Sequence, residues 1–243
     1  MKNKHRNDIY DAINSDQTSG QPAIPAATVV LLRDHEAGVQ TLMLHRTSKV
    51  HFGGMWVFPG GRLDPEDYQD NANPDDAARC AAARETREET GLVVRPEDFA
   101  WFAHWTPPPG KNRRYATWFF ATTIQTDSPV EVDGHEIQDH EWITPPDALI
   151  RHSLGEIDLA PPTWITLHQL ALHSPTSDLM SHLHAQDVRT YQTRVSQRAD
   201  GVRVALWLGD AGYQNADADT IGARHRLIMS ESGFIFENDV YEY

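Results

Sequence analysis

One segment of this chain carries the signals for both ends of a helix, and it constrains the fold more than any other. Asn73 suits the N-cap, Pro74 suits the first helical position, and Gly91 suits the position after the last turn. The residues between them are rich in alanine and other helix formers, and alanine side chains allow a helix to approach a neighbouring sheet closely. The sequence therefore predicts one long helix that packs against strands.

Strands are predicted on both sides of this helix. Residues 26–34 and 39–46 are β-branched and apolar, with turn-forming residues between them, and a glycine-rich, turn-bearing segment follows at residues 52–61. Further strands are predicted at residues 99–106, 115–124 and 141–144 and at several short segments after residue 188, and helices that start with proline are predicted from residues 145 and 161. This alternation predicts a mixed α and β fold.

The composition indicates a globular chain of ordinary character. The sequence has 243 residues, of which 40% are hydrophobic and 23% charged, so it can bury a core. We expect a polar, frayed N-terminal arm at residues 1–22 and a main domain at residues 23–187. A β-rich C-terminal extension at residues 188–243 is expected to pack on the same domain.

The same numbers exclude several classes of protein. No run approaches the roughly 20 apolar residues of a membrane helix, and no apolar segment suggests a secretory signal, so we expect a cytoplasmic protein with no membrane partner. The single cysteine, Cys80, cannot form an internal disulfide. The 21 basic and 35 acidic residues give a net charge of −14, which disfavours nucleic acid as a partner because the phosphates would be repelled. A small polyanion can still bind through a metal ion.

Three carboxylates share one face of the predicted helix. Glu85, Glu88 and Glu89 stand at positions i, i+3 and i+4, where like charges repel by roughly 0.2–0.5 kcal/mol per pair. A solvated acidic face is the plain interpretation of such a group. A hard divalent cation would relieve the repulsion, and oxygen ligands of this kind suit Mg²⁺, with Mn²⁺ as a substitute.

Residues 84–92 decide between these interpretations because they resemble the signature of the Nudix hydrolases. That signature reads Arg-Glu-aliphatic-any-Glu-Glu-any-Gly-aliphatic, and here only Thr86 departs from it. The family pattern also has a glycine, five residues, a glutamate and seven residues before the arginine. Gly61 supplies the glycine, and seven residues separate Asp76 from Arg84, but fourteen separate Gly61 from Asp76, so the signature carries an insertion. Capping the helix is the expected role of Asp76.

The resemblance extends over residues 26–172. Segments around residues 42–64, 78–92, 105–122, 135–149 and 155–171 occur in the order found in the Nudix subgroup that contains the peroxisomal coenzyme A diphosphatase of animals and its bacterial relatives. This resemblance implies the Nudix α/β/α sandwich, an α/β fold of the α+β type with a mixed sheet and, here, added C-terminal strands. The expected partner is a small-molecule nucleoside diphosphate derivative, and a homodimer stays open.

The resemblance also implies an activity. Nudix enzymes hydrolyse a pyrophosphate bond in a nucleoside diphosphate linked to another moiety, with Mg²⁺ neutralising the phosphates and activating water. Coenzyme A or acyl-CoA, giving 3′,5′-ADP and (acyl-)phosphopantetheine, is the first candidate substrate. NADH, ADP-ribose and dinucleoside polyphosphates form the alternative, and a catalytically silent, nucleotide-sensing Nudix domain is a third hypothesis.

Residue roles follow from the same resemblance. The implied metal ligands are Glu85, Glu88, Glu89 and Glu136, and the implied catalytic set is Glu88, Glu136 and Arg84, which orients a carboxylate. The choice of general base is open. The implied substrate-binding residues are Gly60, Gly61, Arg46, Arg113 and Arg114, and the other cations available for phosphate are Lys49, Arg62 and Lys111. Trp105 and Trp118 are predicted to pack in the core or, alternatively, to stack on adenine.

Overall fold

The computed structural model describes residues 6–10, 22–47, 53–68, 73–110, 113–125 and 128–242. Its strands are β1 (Ile24–His35), β2 (Gly38–Arg46), β3 (Trp56–Val57), β4 (Gly60–Arg62), β5 (Ala100–Thr106), β6 (Tyr115–Thr123), β7 (Ile137–Ile143), β8 (Arg189–Gln192), β9 (Arg194–Gln197), β10 (Arg203–Leu206), β11 (His225–Ser230) and β12 (Gly233–Asn238). Its helices are α1 (Pro74–Thr90), α2 (Pro145–Leu154), α3 (Pro161–Leu170) and α4 (Thr176–Ala185). Short 3₁₀ turns cover Pro65–Asp67 and Pro96–Asp98.

A mixed sheet of eight strands carries the fold, in the order β3-β2-β1-β6-β5-β8, with β4 paired to β1 and β7 paired to β2. The predicted hairpin at its centre is confirmed, since β1 and β2 are antiparallel and turn at Gly38, whose φ of 112° favours glycine. Both faces of β1 are buried. Val29 and Leu31 belong to one apolar cluster, and Val30 and Leu32 point to the opposite face because side chains alternate along a strand.

The long predicted helix is confirmed as α1. The Asn73 side chain accepts hydrogen bonds from the backbone N–H groups of Asp75 at 2.8 Å and Asp76 at 3.0 Å, and Gly91 ends the helix with a φ of 72°. Ala78 and Ala81 are fully buried in the cluster that includes Val29 and Leu31. Small side chains therefore place the backbone of α1 close to the sheet.

Three of the four described α-helices were predicted from the sequence, and the fourth, α4, was not. Helices α2 and α3 begin at Pro145 and Pro161 as expected. Helix α4 was missed because its ten residues bury only Thr176, Leu179 and Leu183, too few to give a clear helical period. None of the described helices could span a membrane.

The chain forms two compact units. The second unit consists of Pro25–His104 and Thr117–Arg189, and the first consists of Met1–Ile24, Trp105–Ala116 and Thr190–Tyr243. The first unit contains an antiparallel sheet in the order β12-β11-β10-β9.

Residues 6–10 lie within the polar N-terminal arm expected at residues 1–22. Within the first unit, the Asn7 side chain donates to the backbone carbonyl of Ser230 at 2.8 Å, and Asp8 forms a 2.9 Å ion pair with Arg203. Tyr10 is buried. These contacts join residues that are far apart in the sequence, so composition alone does not reveal them.

Candidate active site

The site lies in the second unit and begins with the acidic face of α1. Arg84 stands at the centre of this face, where one guanidinium nitrogen, Nη1, contacts Glu85 Oε1 at 2.9 Å and Glu88 Oε2 at 3.1 Å. A single cation thus bridges two of the three carboxylates that the sequence placed together. This geometry agrees with the predicted orienting role of Arg84.

Asp67 holds the other edge of the same guanidinium. Its two carboxylate oxygens accept from Arg84 Nε at 3.0 Å and Nη2 at 2.9 Å, and its side chain is only 4% exposed. The backbone carbonyl of Arg62 accepts a further bond from Nη2 at 3.1 Å. This bidentate pair, more than any other contact, raises the pKa of Arg84 above its ordinary value.

Asp67 was missed in the sequence, and its position corrects the placement of the insertion. Five residues separate it from Gly61, as they separate the glycine and the glutamate of the family pattern, whereas Asp76 is exposed and its backbone N–H is capped by Asn73. The insertion therefore falls between Asp67 and α1 rather than between Gly61 and the acidic residue of the pattern. Counting forward from Gly61, instead of backward from Arg84, would have identified Asp67.

Glu89 is the buried member of the acidic face. It is 5% exposed, and its Oε2 accepts a hydrogen bond from the backbone N–H of Gly60 at 2.9 Å. Burial raises the pKa of Glu89 to about 8; Gly60 and Arg46 act in the opposite direction, and the charges of Glu85 and Glu136 add to the rise.

Two glycines bring the backbone of β4 close to these carboxylates. Gly60 has a φ of 154°, and a Cβ there would come within 2.7 Å of the Thr28 Cα on β1. A Cβ on Gly61 would overlap the carboxylate of Glu85. Gly60 and Gly61 therefore bring the backbone of β4 against Glu89 and Glu85, two of the predicted metal ligands.

Glu136 reaches the site from the start of β7. Its Oε2 forms a 2.7 Å ion pair with Arg46 Nη2, and its backbone carbonyl accepts from the Thr47 N–H at 2.8 Å. Asp133 stabilises the preceding turn by accepting from the backbone N–H of Glu136 at 3.1 Å. The stretch around Glu136 forms a turn that leads into β7.

Two polar atoms beside this ion pair are buried and have no partner. They are Arg46 Nε and Thr47 Oγ1, at the end of β2. A buried N–H group and a buried hydroxyl group can each donate a hydrogen bond to a phosphate oxygen. Arg46, predicted to bind substrate, is therefore placed next to the acidic face with donor capacity to spare.

The carboxylates fit a divalent cation. Burial raises the pKa of Glu85, with the charges of Glu88 and Asp64 adding to the rise and Arg84 opposing it, so negative charge is in excess here. Within the ranges that the structure describes, no three acidic, histidine or cysteine side chains already share a ligating geometry. Arg84 and the Gly60 N–H hold the carboxylates instead. An all-oxygen donor set with excess negative charge suits a hard cation, which Glu85, Glu88, Glu89 and Glu136 would hold.

Of the five remaining predicted cations, the structure describes Arg62, Arg113 and Arg114. Arg113, which is exposed, and Arg114, whose Nη1 donates to the Pro107 carbonyl at 3.1 Å, belong to the first unit. Arg62 pairs with Asp64 at 2.9 Å. Lys49 and Lys111 lie outside the described residues. The substrate roles of Arg113 and Arg114 remain predictions.

Both tryptophans proposed as adenine platforms have partners within the protein. Trp105 is buried and stacks on Tyr191 with ring centres 3.7 Å apart. The Trp118 Nε1–H donates to Asp75 Oδ1 at 2.9 Å, and its ring meets His104 edge-on. In the structure, both tryptophans therefore pack against other side chains of the protein.

A helix with this acidic face, packed beside a glycine turn on a mixed sheet, defines a class of phosphate-cleaving enzyme, and the family comparison agrees. The NUDIX domain model matches residues 22–176, and the chain belongs to the Nudix hydrolase family. Members of this family generally use divalent metal ions. The predicted fold class and the prediction of a hydrolase are confirmed.

Individual relatives were found among curated proteins and solved structures. The chain is 35% identical over 83 residues to the acyl-coenzyme A diphosphatase NUDT19 of Gallus gallus, and the match covers 32% of this chain and only 22% of that protein's length. A Nudix hydrolase crystal structure from Alicyclobacillus acidocaldarius superposes with a TM-score of 0.59 at 23% identity, covering 66% of this chain and 96% of the other. The NUDIX domain of Shewanella oneidensis NrtR, solved with ADP-ribose, gives a TM-score of 0.48 at 17% identity over 64% of this chain and 90% of its own.

Proposed function

We propose that this Nudix hydrolase cleaves the pyrophosphate bond of coenzyme A or acyl-CoA, using Mg²⁺ and releasing 3′,5′-ADP and (acyl-)phosphopantetheine. The observation that carries the chemistry is the face formed by Glu85, Glu88 and Glu89, clamped by Arg84 and by the Gly60 N–H. A bound cation would supply charge neutralisation and a more acidic water at this face.

The protein's own residues divide into holding and proton-accepting groups. Glu89 is buried and bonded to Gly60, and Glu85 is held by Arg84, so both are suited to hold the cation in a fixed position. Glu88 and Glu136 each expose more than half of the side chain, 58% and 55%. These two can be reached by water and are the candidates for the general base.

Arg46 is suited to receive a substrate phosphate. Its guanidinium is mostly buried, 17% exposed, and its Nε–H has no partner in the structure. A phosphate that takes a bond from this Nε would satisfy a buried donor, which is worth about 1–3 kcal/mol when left unsatisfied. The same phosphate would compete with Glu136 for Arg46 and leave the Glu136 carboxylate available to water.

Coenzyme A is proposed as the substrate because one relative is an acyl-coenzyme A diphosphatase. The acyl-coenzyme A diphosphatase of Gallus gallus shares 35% identity with this chain, although over 83 residues only. The order of segments in residues 26–172 points to the same subgroup. A panel of substrates distinguishes coenzyme A from other nucleoside diphosphate derivatives and is therefore the decisive test.

The test is product analysis with purified protein, Mg²⁺ and a panel of pyrophosphates. Coenzyme A and acetyl-CoA should each give 3′,5′-ADP, and EDTA should abolish the reaction. Release of AMP from NADH or ADP-ribose, without any turnover of coenzyme A, would contradict the substrate while leaving the pyrophosphatase chemistry intact. No turnover of any substrate would favour a nucleotide-sensing domain.

Glu88→Gln tests the acidic face directly. The change removes one charge from an exposed side chain, so the fold should be retained while turnover falls at least a hundredfold. Glu97→Gln is the matched control, because it makes the same change at an exposed glutamate outside the site. Equal activity of the two variants would refute the role of Glu88.

A further inference from the structure

Two histidine rings, one of them on α4, pack against each other in the second unit. His173 lies in the connection between α3 and α4, His182 lies on α4, and their ring centres are 4.3 Å apart with the planes tilted by 32°. The Nε2 atoms of both rings are buried and have no hydrogen-bond partner. The amide nitrogen of Gln186, at the end of α4, is also buried and unpartnered.

The charges around this pair are positive. His182 and Arg189, at the start of β8, both act on His173, and together with burial they lower the pKa of His173 below its ordinary value. From α3 the neighbouring polar side chain is the uncharged Gln169, which donates to Gln186 at 3.4 Å. A proton added to His173 would therefore place a buried cation against the His182 ring and the Arg189 guanidinium.

Helix α4 has little else to hold it. Of its apolar side chains only Leu179 and Leu183 are buried. At its N-terminus, Asp34 accepts from the Thr176 backbone N–H at 2.9 Å and from its hydroxyl at 2.7 Å. These bonds hold the pKa of Asp34 below its usual range, so this attachment stays charged while histidines titrate. The two ends of α4 therefore respond differently to acid.

We propose that the His173–His182 pair is an acid-sensitive latch, which holds the C-terminal half of α4 in place when His173 is neutral and releases it when His173 is protonated. A helix with few buried apolar contacts opens locally before the rest of its unit. Because protons bind more weakly in the docked state than in the open one, docking is full above about pH 6.5 and weakens as pH falls below it.

Hydrogen exchange measured by mass spectrometry on the full chain tests the latch. Peptides covering residues 179–186 should lose protection by up to about tenfold per pH unit between pH 6.5 and 5, after correction for the intrinsic exchange rate. Peptides from α1 should keep their protection over the same range. Wild-type protection that does not change with pH would overturn the proposal without any variant.

Two variants assign the effect to the pair. His173→Gln removes the ring that takes up the proton, and His182→Gln removes the ring packed against it, so each should flatten the pH dependence of α4. His184→Gln is the matched control, because it makes the same change at an exposed position on the same helix. An equal flattening by His184→Gln would overturn the assignment, and so would a gain in wild-type protection on adding Zn²⁺ at pH 7.5, which would identify the pair as a metal site.

Discussion

Arg84 donates hydrogen bonds to three carboxylates, and Asp67 is the least exposed of them. The other two belong to the same helix as Arg84, so Asp67 is the carboxylate among these three that holds the guanidinium from outside α1. We infer that Asp67 determines where Arg84 directs its remaining nitrogen, and hence how Glu85 and Glu88 are presented. Its influence on catalysis passes entirely through Arg84.

Asp67→Asn should lower kcat by at least tenfold with little change in KM, because the amide keeps the shape but loses the charge that holds Arg84. The loss of the charged hydrogen bonds should also lower the free energy of unfolding by about 1–3 kcal/mol. Steady-state kinetics and urea unfolding would measure the two effects. Asp76→Asn is the control, and any comparable loss of kcat in that variant would contradict the assignment of Asp67.

Glu89→Gln should stabilise the protein at pH 8 when EDTA is present. The folded state raises the pKa of Glu89 from 4.5 to about 8, so the stability contributed by its proton is present below pH 4.5 and is lost as pH rises through 8. The glutamine avoids this loss, and the gain over wild type should be on the order of 2 kcal/mol at pH 8. Urea unfolding at pH 5, 6.5 and 8 would show it; parallel pH profiles for the two proteins would refute it.

The sequence predicted those site residues whose relation is local. Glu85, Glu88 and Glu89 share a face because their spacing matches the helical repeat, and Arg84 precedes them on the same helix. The partner of Arg84 was missed because the insertion lies between Asp67 and α1, so the count of residues was ambiguous. The pairing of Arg46 with Glu136 joins β2 to β7 and has no signature in local sequence.

At the scale of elements, helix ends were easier to predict than helix packing. Helix α1 has an Asn cap, a first-turn proline and a terminal glycine, which act through local hydrogen bonds and backbone angles. Helix α4 has no side-chain cap and is defined by contacts distant in sequence, such as Asp34 with Thr176. The strand β7 was predicted as four residues and covers seven, because pairing with β2 extends it.

Asn73→Ala should destabilise α1 by about 1 kcal/mol, because two backbone N–H groups lose their acceptor. In a chain of this size that corresponds to a fall in Tm of about 2–4 °C, measurable by calorimetry. Asn73→Asp is the matched control, because aspartate accepts the same bonds and should keep the Tm. A fall of the same size in both variants would show that capping is not the cause.

At the scale of the whole molecule, the second unit carries the candidate active site, and the first unit has a buried polar network of its own. In the first unit Asp210 accepts from Arg226 Nε and Nη2, both at 2.6 Å, and both side chains are almost completely buried. Asp210 also accepts from the backbone N–H of His225 and of Gly212. This pair joins β11 to the loop before it.

Arg226→Met should destabilise the first unit by about 3–5 kcal/mol, because it leaves the Asp210 charge buried without its partner. Arg224→Met removes the neighbouring, partly exposed arginine and should change the free energy of unfolding by less than about 1 kcal/mol. Urea unfolding of both variants would separate the two cases. Similar losses would indicate that the buried pair contributes no more than a surface pair.

The aromatic rings of the first unit give it an optical signal of its own. Trp105 and Tyr191 lie face to face, with planes tilted by only 2°, and Trp207 stands edge-on to both with ring centres 5.4 Å away. Electronic transitions in rings this close couple to one another and split the circular dichroism band into a couplet of opposite signs. All three rings belong to the first unit. The amplitude of this couplet therefore reports the folding of the first unit without any added label, whether or not the second unit is folded.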